Sequence, residues 1–268
     1  MSRRDEISKY YDISNIADTI STWTFWINII LSIIVLFLQS YPVVSSVLMK
    51  VIIILSFVCP IISVIDDSFW WYDAESKRRK SCIKDAFGVD TIEENVEEYY
   101  NNSFSPSYNK YVLNTFENTF FSKYIAQKML IPSAIYSLIS FIVFILICIL
   151  VKNDDIVLII AQTVFSANYI CGTLSLLVYK KRLDNLYNDF YNILVTIGVN
   201  DAKQKVLILA NIVEYESIKA HYKIRLSTKV FTKLNPSLST EWSNMVSRCK
   251  INSLKTTAPE GTAVNDQI

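Results

Sequence analysis

The feature that most constrains this chain is a run of 23 residues, 129–151, that contains no charged side chain. At 1.5 Å per residue, a helix of that length spans about 34 Å, which exceeds the ~30 Å hydrocarbon core of a bilayer. A helix buried in a soluble protein is rarely apolar on every face over such a length. We therefore interpret this run as a membrane span, so that every other segment lies on one side of a bilayer or the other.

Three further apolar runs, 22–39, 43–65 and 156–179, predict three more spans. Pro42 separates the first two, because proline lacks an amide donor and disfavours a helical conformation in Tyr41. Only residues 152–155 separate the last two. Spans joined by such short connections form antiparallel hairpins.

The predicted fold is an all-α membrane protein with four transmembrane helices in two hairpins and a discontinuous cytoplasmic helical domain. Along the chain, we expect a cytoplasmic N-terminal segment (1–21), a transmembrane hairpin (22–66), a cytoplasmic helical insertion (67–128), a second transmembrane hairpin (129–179), a cytoplasmic helical region (180–255) and a disordered tail (256–268). Every Lys and Arg except Lys50 and Lys152 falls on the side that holds both termini and the insertion. The positive-inside rule therefore predicts that this side is cytoplasmic.

Outside the spans, several local signals predict helices. Gly88 is expected to end a helix over residues 76–87, since glycine readily adopts the left-handed conformation that ends helices. Asp18 and Asp201 are expected to cap helices that begin next to them, and Pro236 is expected to open a last short helix. A helix from Pro106 runs into the third span or stops just short of it near Pro132. An apolar stripe at helical spacing predicts a buried face on the helix after the fourth span: Leu183, Leu186, Phe190 and Leu194.

Composition argues against several classes of function. The sequence has four glycines and no phosphate-cradling GxGxxG or GxxxxGK[ST] run. One histidine and five scattered cysteines give no metal-ligand spacing and no disulfide framework. No span contains a buried acid pair, which disfavours a secondary transporter. We predict a protein that is not an enzyme and holds no metal or cofactor, and no DNA or RNA duplex is expected as a partner.

Polar side chains within the spans have two interpretations. Such residues form hydrogen bonds between packed helices in bilayers, or they line a water-filled path when several chains assemble. In the fourth span they recur at i, i+4, i+7 and i+11, which is one face of a helix. Lys50 either extends its long stem to the outer surface or lies in an anion-preferring pore. The pore-lining candidates are Gln162, Ser166, Tyr169, Thr173, Asn28, Ser32 and Lys50.

Several cytoplasmic segments carry a resemblance to a known family. They are 74–79 (AESKRR), 87–88 (FG), 99–102 (YYNN), 114–118 (NTFEN) with Phe121, 214–220 (EYESIKA) and 233–236 (KLNP). Together with the two-plus-two spacing of the spans, they resemble the SMODS-associating four-transmembrane effector family of bacterial anti-phage systems. The resemblance implies an inner-membrane effector that works beside a nucleotide second-messenger synthase and damages the membrane of an infected cell. It implies no ligand-contact residues.

A cyclic oligonucleotide made by the partner synthase is the ligand that this resemblance predicts. It carries at least two phosphates, which need Lys or Arg, and our candidates are Arg78, Arg79, Lys223 and Arg225. The basic cluster at 77–80 is alternatively a juxtamembrane patch that touches anionic lipid. The ligand either opens a pore formed by a homo-oligomer or holds it shut.

Two other classes of function stay open from the sequence. A membrane scaffold or sensor subunit has the same topology without an ion path. An interfacial lipid-modifying enzyme needs a polar catalytic cluster, for which Asn114, Glu117 and Asn118 are the candidates at i, i+3 and i+4.

Overall fold

The computed structural model describes residues 4–5, 7–38, 40–94, 96–97, 100–102, 104–150, 169–197 and 202–248. These residues are almost entirely helical, which confirms the all-α prediction. The helices are α1 (Asp12–Phe37), α2 (Pro42–Ile65), α3 (Trp71–Phe87), α4 (Tyr108–Leu150), α5 (Tyr169–Tyr191), α6 (Ala202–Tyr222) and α7 (Thr228–Arg248). A 3-10 turn, Ser8–Tyr11, precedes α1, and π-helical segments, Asp66–Trp70 and Asn192–Ile197, follow α2 and α5. Two-residue strands, β1 (Arg4–Asp5) and β2 (Val96–Glu97), pair antiparallel.

Three of the described helical stretches are long and apolar enough to cross a membrane. They are Ser8–Val35, Pro42–Phe87 and Tyr108–Leu146. Large apolar side chains are exposed along all three, as expected for faces that contact lipid rather than water. The predicted fourth span, 156–179, lies mostly outside the described residues, and α5 begins within it.

The first two apolar helices, α1 and α2, pack against each other as a helical hairpin. α1 ends at Phe37, and Pro42 occupies the first turn of α2, where its missing amide costs no hydrogen bond. The two helices meet through polar as well as apolar side chains. Asn28 Nδ2 donates to Ser56 Oγ across the interface at 3.4 Å, and Ser32 Oγ donates to the Asn28 carbonyl at 2.8 Å.

The apolar helices continue into the polar regions without a break in helical structure. The π-helical segment Asp66–Trp70 connects α2 directly to α3, which ends at Gly88 in the left-handed conformation, as predicted. α4 is a single helix of 43 residues that runs through Pro132. α2 and α4 are therefore joined to the polar region by continuous helical backbone.

Two predicted helix starts are wrong. α1 begins at Asp12, so Asp18 lies inside the helix, where its carboxylate pairs with Arg225 rather than capping backbone amides. α7 begins at Thr228, so Pro236 lies inside the helix instead of opening it. Apolar residues on both sides of Pro236 pack on one core, and this tertiary packing outweighs the lost hydrogen bond.

The polar region has its own aromatic core between α4, α5, α6 and α7. Phe116 lies at its centre, with ring centroids 5.5 Å from Phe190 and 5.2 Å from Trp242. The predicted stripe on α5 and the π-helical segment after it faces this core and is buried at all four positions: Leu183, Leu186, Phe190 and Leu194. The core packs the N-terminal part of α4 against its neighbouring helices, next to the apolar part of α4.

Candidate functional site

A pocket of about 400 Å³ lies where the N-terminal turn, the starts of α1 and α7, the helices α3, α4 and α6, and the loop 223–227 meet. Its wall mixes aromatic, apolar and charged side chains. The lining residues are Ile7, Ser8, Tyr11, Asp12, Asn15, Trp71, Glu75, Arg78, Ser81, Cys82, Tyr100, Asn118, Phe121, Ser122, Ile125, Tyr215, Lys219, Ile224, Arg225, Leu226, Thr228 and Phe231.

Helical spacing explains why these residues face one cavity. On α3, the positions of Trp71, Glu75, Arg78 and Cys82 are i, i+4, i+7 and i+11, which form one stripe of a helix. The α4 and α6 residues of the pocket follow the same rule at three- and four-residue intervals. Each helix therefore contributes a single face to the pocket.

Glu75 is buried, and three donors converge on its carboxylate. Tyr11 donates its hydroxyl to Oε1 at 2.8 Å, and Arg78 donates Nε to Oε2 at 2.8 Å. The Lys219 ammonium lies 3.0 Å from Oε1. Arg78 also forms an ion pair with Glu216. This network joins the N-terminal turn, α3 and α6 around the pocket.

The environment fixes the protonation states of the pocket. Burial alone would raise the pKa of Glu75, but the charges and hydrogen bonds of Lys219 and Arg78 outweigh it and hold that pKa well below its usual range. Burial lowers the pKa of Lys219, and Glu75 opposes this shift. Burial also raises the pKa of the Cys82 thiol to about 11. Glu75 is therefore a carboxylate at neutral pH, whereas Cys82 is a neutral thiol and a poor nucleophile.

Arg225, on the loop between α6 and α7, connects the pocket to the apolar helices. Its Nε donates to Ser14 Oγ at 3.0 Å and its Nη1 to Asp18 Oδ1 at 3.1 Å, both on α1. Its Nη2 forms an ion pair with Asp66, the residue that follows α2. The guanidinium carbon lies 5.4 Å from the centre of the Trp71 ring. One side chain thus ties the loop to α1, to the end of α2 and to the start of α3.

Lys223, at the start of the same loop, makes a second tie. Its Nζ lies 3.1 Å from Asp67 Oδ2, one residue beyond the partner of Arg225. Its φ is +49°, a left-handed conformation that is uncommon for a residue other than glycine. The loop is therefore held in a special backbone conformation beside two consecutive carboxylates at the end of α2.

Two residues of the pocket wall, Tyr100 and Asn118, belong to a network of side-chain amides on α4 and the loop 100–102. Glu117 accepts hydrogen bonds from the Asn101 amide nitrogen and from Asn101 Nδ2, the latter at 2.6 Å. Asn118 Nδ2 donates to the Tyr100 hydroxyl at 3.1 Å, and Asn102 donates to Asn114 at 2.8 Å. Glu117 and Asn114 are buried. The polar cluster considered above for an enzyme therefore anchors the loop 100–102 to α4.

The structure separates the four predicted phosphate-binding residues. Arg78 and Arg225 line the pocket, whereas Arg79 and Lys223 are not among its lining residues. Lys219, which we did not predict, is the third cation of its wall. Each lining cation already has a carboxylate partner in the described part of the chain.

The described pore-lining candidates lie at contacts between helices or at the surface. Thr173 Oγ1 lies 2.6 Å from the hydroxyl oxygens of both Ser133 and Ser137 on α4. Asn28 and Ser32 are buried; Asn28 donates to Ser56 on α2, Ser32 donates to the Asn28 carbonyl within α1, and Lys50 is exposed. The contacts of Asn28 and Thr173 with neighbouring helices agree with the first interpretation of the polar positions, that they form hydrogen bonds between packed helices. Tyr169 is the first residue of α5, and Gln162 and Ser166 lie outside the described residues.

Sequence reasoning missed Glu75, Lys219, Asp66 and Tyr11 as functional residues. One signal was present, because Glu75 with Arg78 and Glu216 with Lys219 belong to two of the segments that carry the family resemblance. Those segments lie far apart in the chain, yet their charged residues contact each other in the fold.

No family model, curated protein or solved structure matches this chain. A function must therefore be argued from the pocket, the apolar helices and the resemblance in the sequence.

Proposed function

We propose that this chain is a membrane effector of a bacterial anti-phage system, and that a cyclic oligonucleotide bound in the cytoplasmic pocket controls membrane permeability. In this proposal the protein lies in the inner membrane with four spans, and both termini and the pocket are cytoplasmic. The family resemblance and the distribution of basic residues support this assignment.

The observation that carries the proposal is the position of the pocket. Its walls come from α1, from α3, which is continuous with α2, and from α4. All three belong to stretches suited to a bilayer. A ligand changes a conformational equilibrium only by binding two states with different free energies. A ligand in this pocket contacts the pocket-side ends of three helical stretches. It can therefore change their conformational equilibrium if it binds one arrangement more tightly than another.

The chemistry of the wall suits a nucleotide. A volume of about 400 Å³ falls within the range of pockets for small ligands. Aromatic side chains such as Trp71 and Phe231 provide apolar surface for a base. Arg78, Lys219 and Arg225 are cations that bind a phosphate when it replaces one of their carboxylate partners.

Permeability requires more than one chain. Four packed helices fill their own interior with side chains and leave no aqueous lumen. The polar contacts that Asn28 and Thr173 make with neighbouring helices of the same chain agree with such packing. An ion path therefore needs spans from several copies, and we propose a homo-oligomer in which the fourth span contributes the lining.

The proposed topology predicts the accessibility of single cysteines. In a variant whose five native cysteines are replaced by serine, Ser2→Cys and Asn265→Cys should not react with a membrane-impermeant maleimide in intact cells. Asp154→Cys, in the turn between the third and fourth spans, should react and serves as the control. Labelling of either terminal position without permeabilisation would contradict the topology.

The proposed activity predicts ligand-dependent leakage. Liposomes that contain the purified protein should release a trapped dye at a rate that changes when 3′,5′-cyclic di- and trinucleotides are added. The double variant Gln162→Leu, Ser166→Leu should reduce the permeable state while it keeps expression and oligomer size, because apolar side chains dewet a constriction. A matched pair of exposed substitutions, Ile135→Leu and Leu138→Ile on α4, should leave leakage unchanged.

A leakage rate that no cyclic oligonucleotide alters would refute the proposed activity. It would favour the second candidate function, a scaffold or sensor subunit without an ion path. The contacts of Thr173 with Ser133 and Ser137 support that candidate, because they use part of the polar stripe inside one chain. Unchanged leakage by the Gln162, Ser166 double variant would instead indicate that the polar stripe of the fourth span serves only helix packing and does not line the pore.

A further inference from the structure

The three cations of the pocket wall do not offer free charge to an anion. Arg78 is paired with Glu75 and Glu216, and Lys219 is paired with Glu75. Arg225 is paired with carboxylates of its own on α1 and after α2. A phosphate that enters the pocket must therefore replace a carboxylate rather than occupy an empty cationic site.

The pairs differ in what replacement costs. Glu75 is only 3% exposed and receives three donors, so losing its cations would leave a buried charge uncompensated. Asp18, a partner of Arg225, has a side chain that is 62% exposed. When Asp18 gives up its ion pair, water solvates its carboxylate at little cost. Arg225 is therefore the cation of the wall with the most exposed carboxylate partner, and the cost of exchange lies with its second partner, the buried Asp66.

We propose that Arg225 is a latch opened by anion exchange, in which a phosphate of the bound ligand takes the guanidinium from Asp18 and Asp66. This inference rests on the proposed function and specifies how the same site is regulated. The planar guanidinium binds phosphate through two parallel hydrogen bonds, as it binds carboxylates. The exchange substitutes one anion for another without creating an unpaired cation.

The consequence falls on the end of α2. Asp66 is only 1% exposed, so the loss of its cation is unfavourable unless the carboxylate moves towards water. It is the first residue of the π-helical segment Asp66–Trp70, and π-helical turns within helices often mark functional positions. A change of register in this segment turns α2 relative to α3. Opening the latch at Arg225 thereby converts binding into a movement of a membrane span, and we assign the open latch to the permeable state.

The exchange makes an unusual prediction: removing a carboxylate should tighten the binding of an anion. We expect Asp18→Asn to bind inorganic pyrophosphate and cyclic oligonucleotides about tenfold more tightly than the unmodified full-length protein in nanodiscs, a factor that equals ~1.4 kcal/mol. Arg225→Lys should weaken binding, because a point charge replaces the planar fork. Asp184→Asn, which breaks the distant ion pair with Lys180, should leave affinity unchanged. Calorimetry with pyrophosphate and a panel of cyclic di- and trinucleotides measures all of these.

The release step has its own variant. Arg225→Gln removes the charge that holds Asp66, so it should leak dye without any nucleotide, at least tenfold faster than the unmodified protein, a factor that again equals ~1.4 kcal/mol. Arg225→Lys should stay near the unmodified rate. A folded Arg225→Gln protein that leaks no faster would overturn the release step.

The outcomes separate this inference from the proposed function. If Asp18→Asn tightens pyrophosphate binding while no cyclic oligonucleotide binds the unmodified protein, the exchange stands and the proposed ligand is wrong. If cyclic oligonucleotides bind and Asp18→Asn leaves their affinity equal or weaker, the exchange is wrong and the proposed ligand stands. If neither protein binds any probe, both are wrong.

Discussion

Glu75→Ala is expected to destabilise the polar region of this protein by about 3–5 kcal/mol, the range for breaking a buried ion pair by removing one partner. The carboxylate of Glu75 accepts hydrogen bonds from Tyr11 and Arg78 and pairs with Lys219. Its removal leaves the ammonium of Lys219, whose side chain is only 12% exposed, without the ion pair that compensates it. The thermal midpoint in detergent, followed by circular dichroism at 222 nm, should fall steeply. Limited proteolysis should cut the loop 223–227 sooner.

Two further variants test whether the loss comes from charge. Glu75→Gln keeps the shape and one acceptor oxygen but removes the charge, so it should retain only a small part of the lost stability. Asp184→Asn removes the partner of Lys180 in a more exposed ion pair on α5. An ion pair of this kind contributes about 0–1 kcal/mol to the free energy of unfolding. Equal shifts of the midpoint for Glu75→Ala and Asp184→Asn would show that the buried network adds nothing beyond a surface pair.

The same network predicts the dependence of stability on pH. The folded-state pKa of Glu75 lies well below its unfolded value, so its contribution is fully present above the unfolded pKa of about 4.3. It declines as pH falls from that value towards the folded pKa. The thermal midpoint of the unmodified protein should therefore drop below about pH 4, and that of Glu75→Gln should lose less over the same interval. An identical acid profile for both proteins would refute this contribution.

The sequence predicted the elements that depend on local pattern and missed those that depend on distant pairing. The stripe from Leu183 to Leu194 follows helical periodicity, and the C-terminal end of α3 follows from Gly88, whose φ is +69°. The start of α1 was wrong, because Asp18 looks like a cap in the sequence. Its true partner, Arg225, is more than 200 residues away, and local rules do not include it.

The candidate site was predicted only in part, again because its ion pairs join residues that are far apart in the chain. Arg78 and Arg225 were proposed from charge, and both lie in the pocket. Charge alone did not separate them from Arg79 and Lys223, which are outside the lining, and gave no reason to select Lys219. The charge of a cation is visible in a sequence, but its carboxylate partners are fixed only when α1, α3 and α6 meet.

The second large effect is expected at Trp242, which fastens α7 to the aromatic core. Its side chain is 1% exposed, and its ring lies 5.2 Å from Phe116 and 5.6 Å from Phe120. Trp242→Ala should cost about 3–5 kcal/mol, because it removes a large buried surface and leaves a cavity. Hydrogen exchange should speed up along α7 first, since the residues that this helix buries lie on the face that carries Trp242.

Trp242→Phe is the matched variant, and it distinguishes packing from hydrogen bonding. Trp242 Nε1 is buried and has no hydrogen-bond partner among the described residues. Phenylalanine retains most of the aromatic surface, so it leaves a smaller cavity than alanine does. It also removes the unpaired donor, and the free energy gained by no longer burying that donor offsets part of the cost of the cavity. We expect a loss below about 1.5 kcal/mol, the usual limit for hydrophobic exchanges of similar volume. A loss as large as that of Trp242→Ala would indicate that Nε1 has a partner beyond the described residues, and that α7 depends on that bond rather than on the stacking of its aromatic ring.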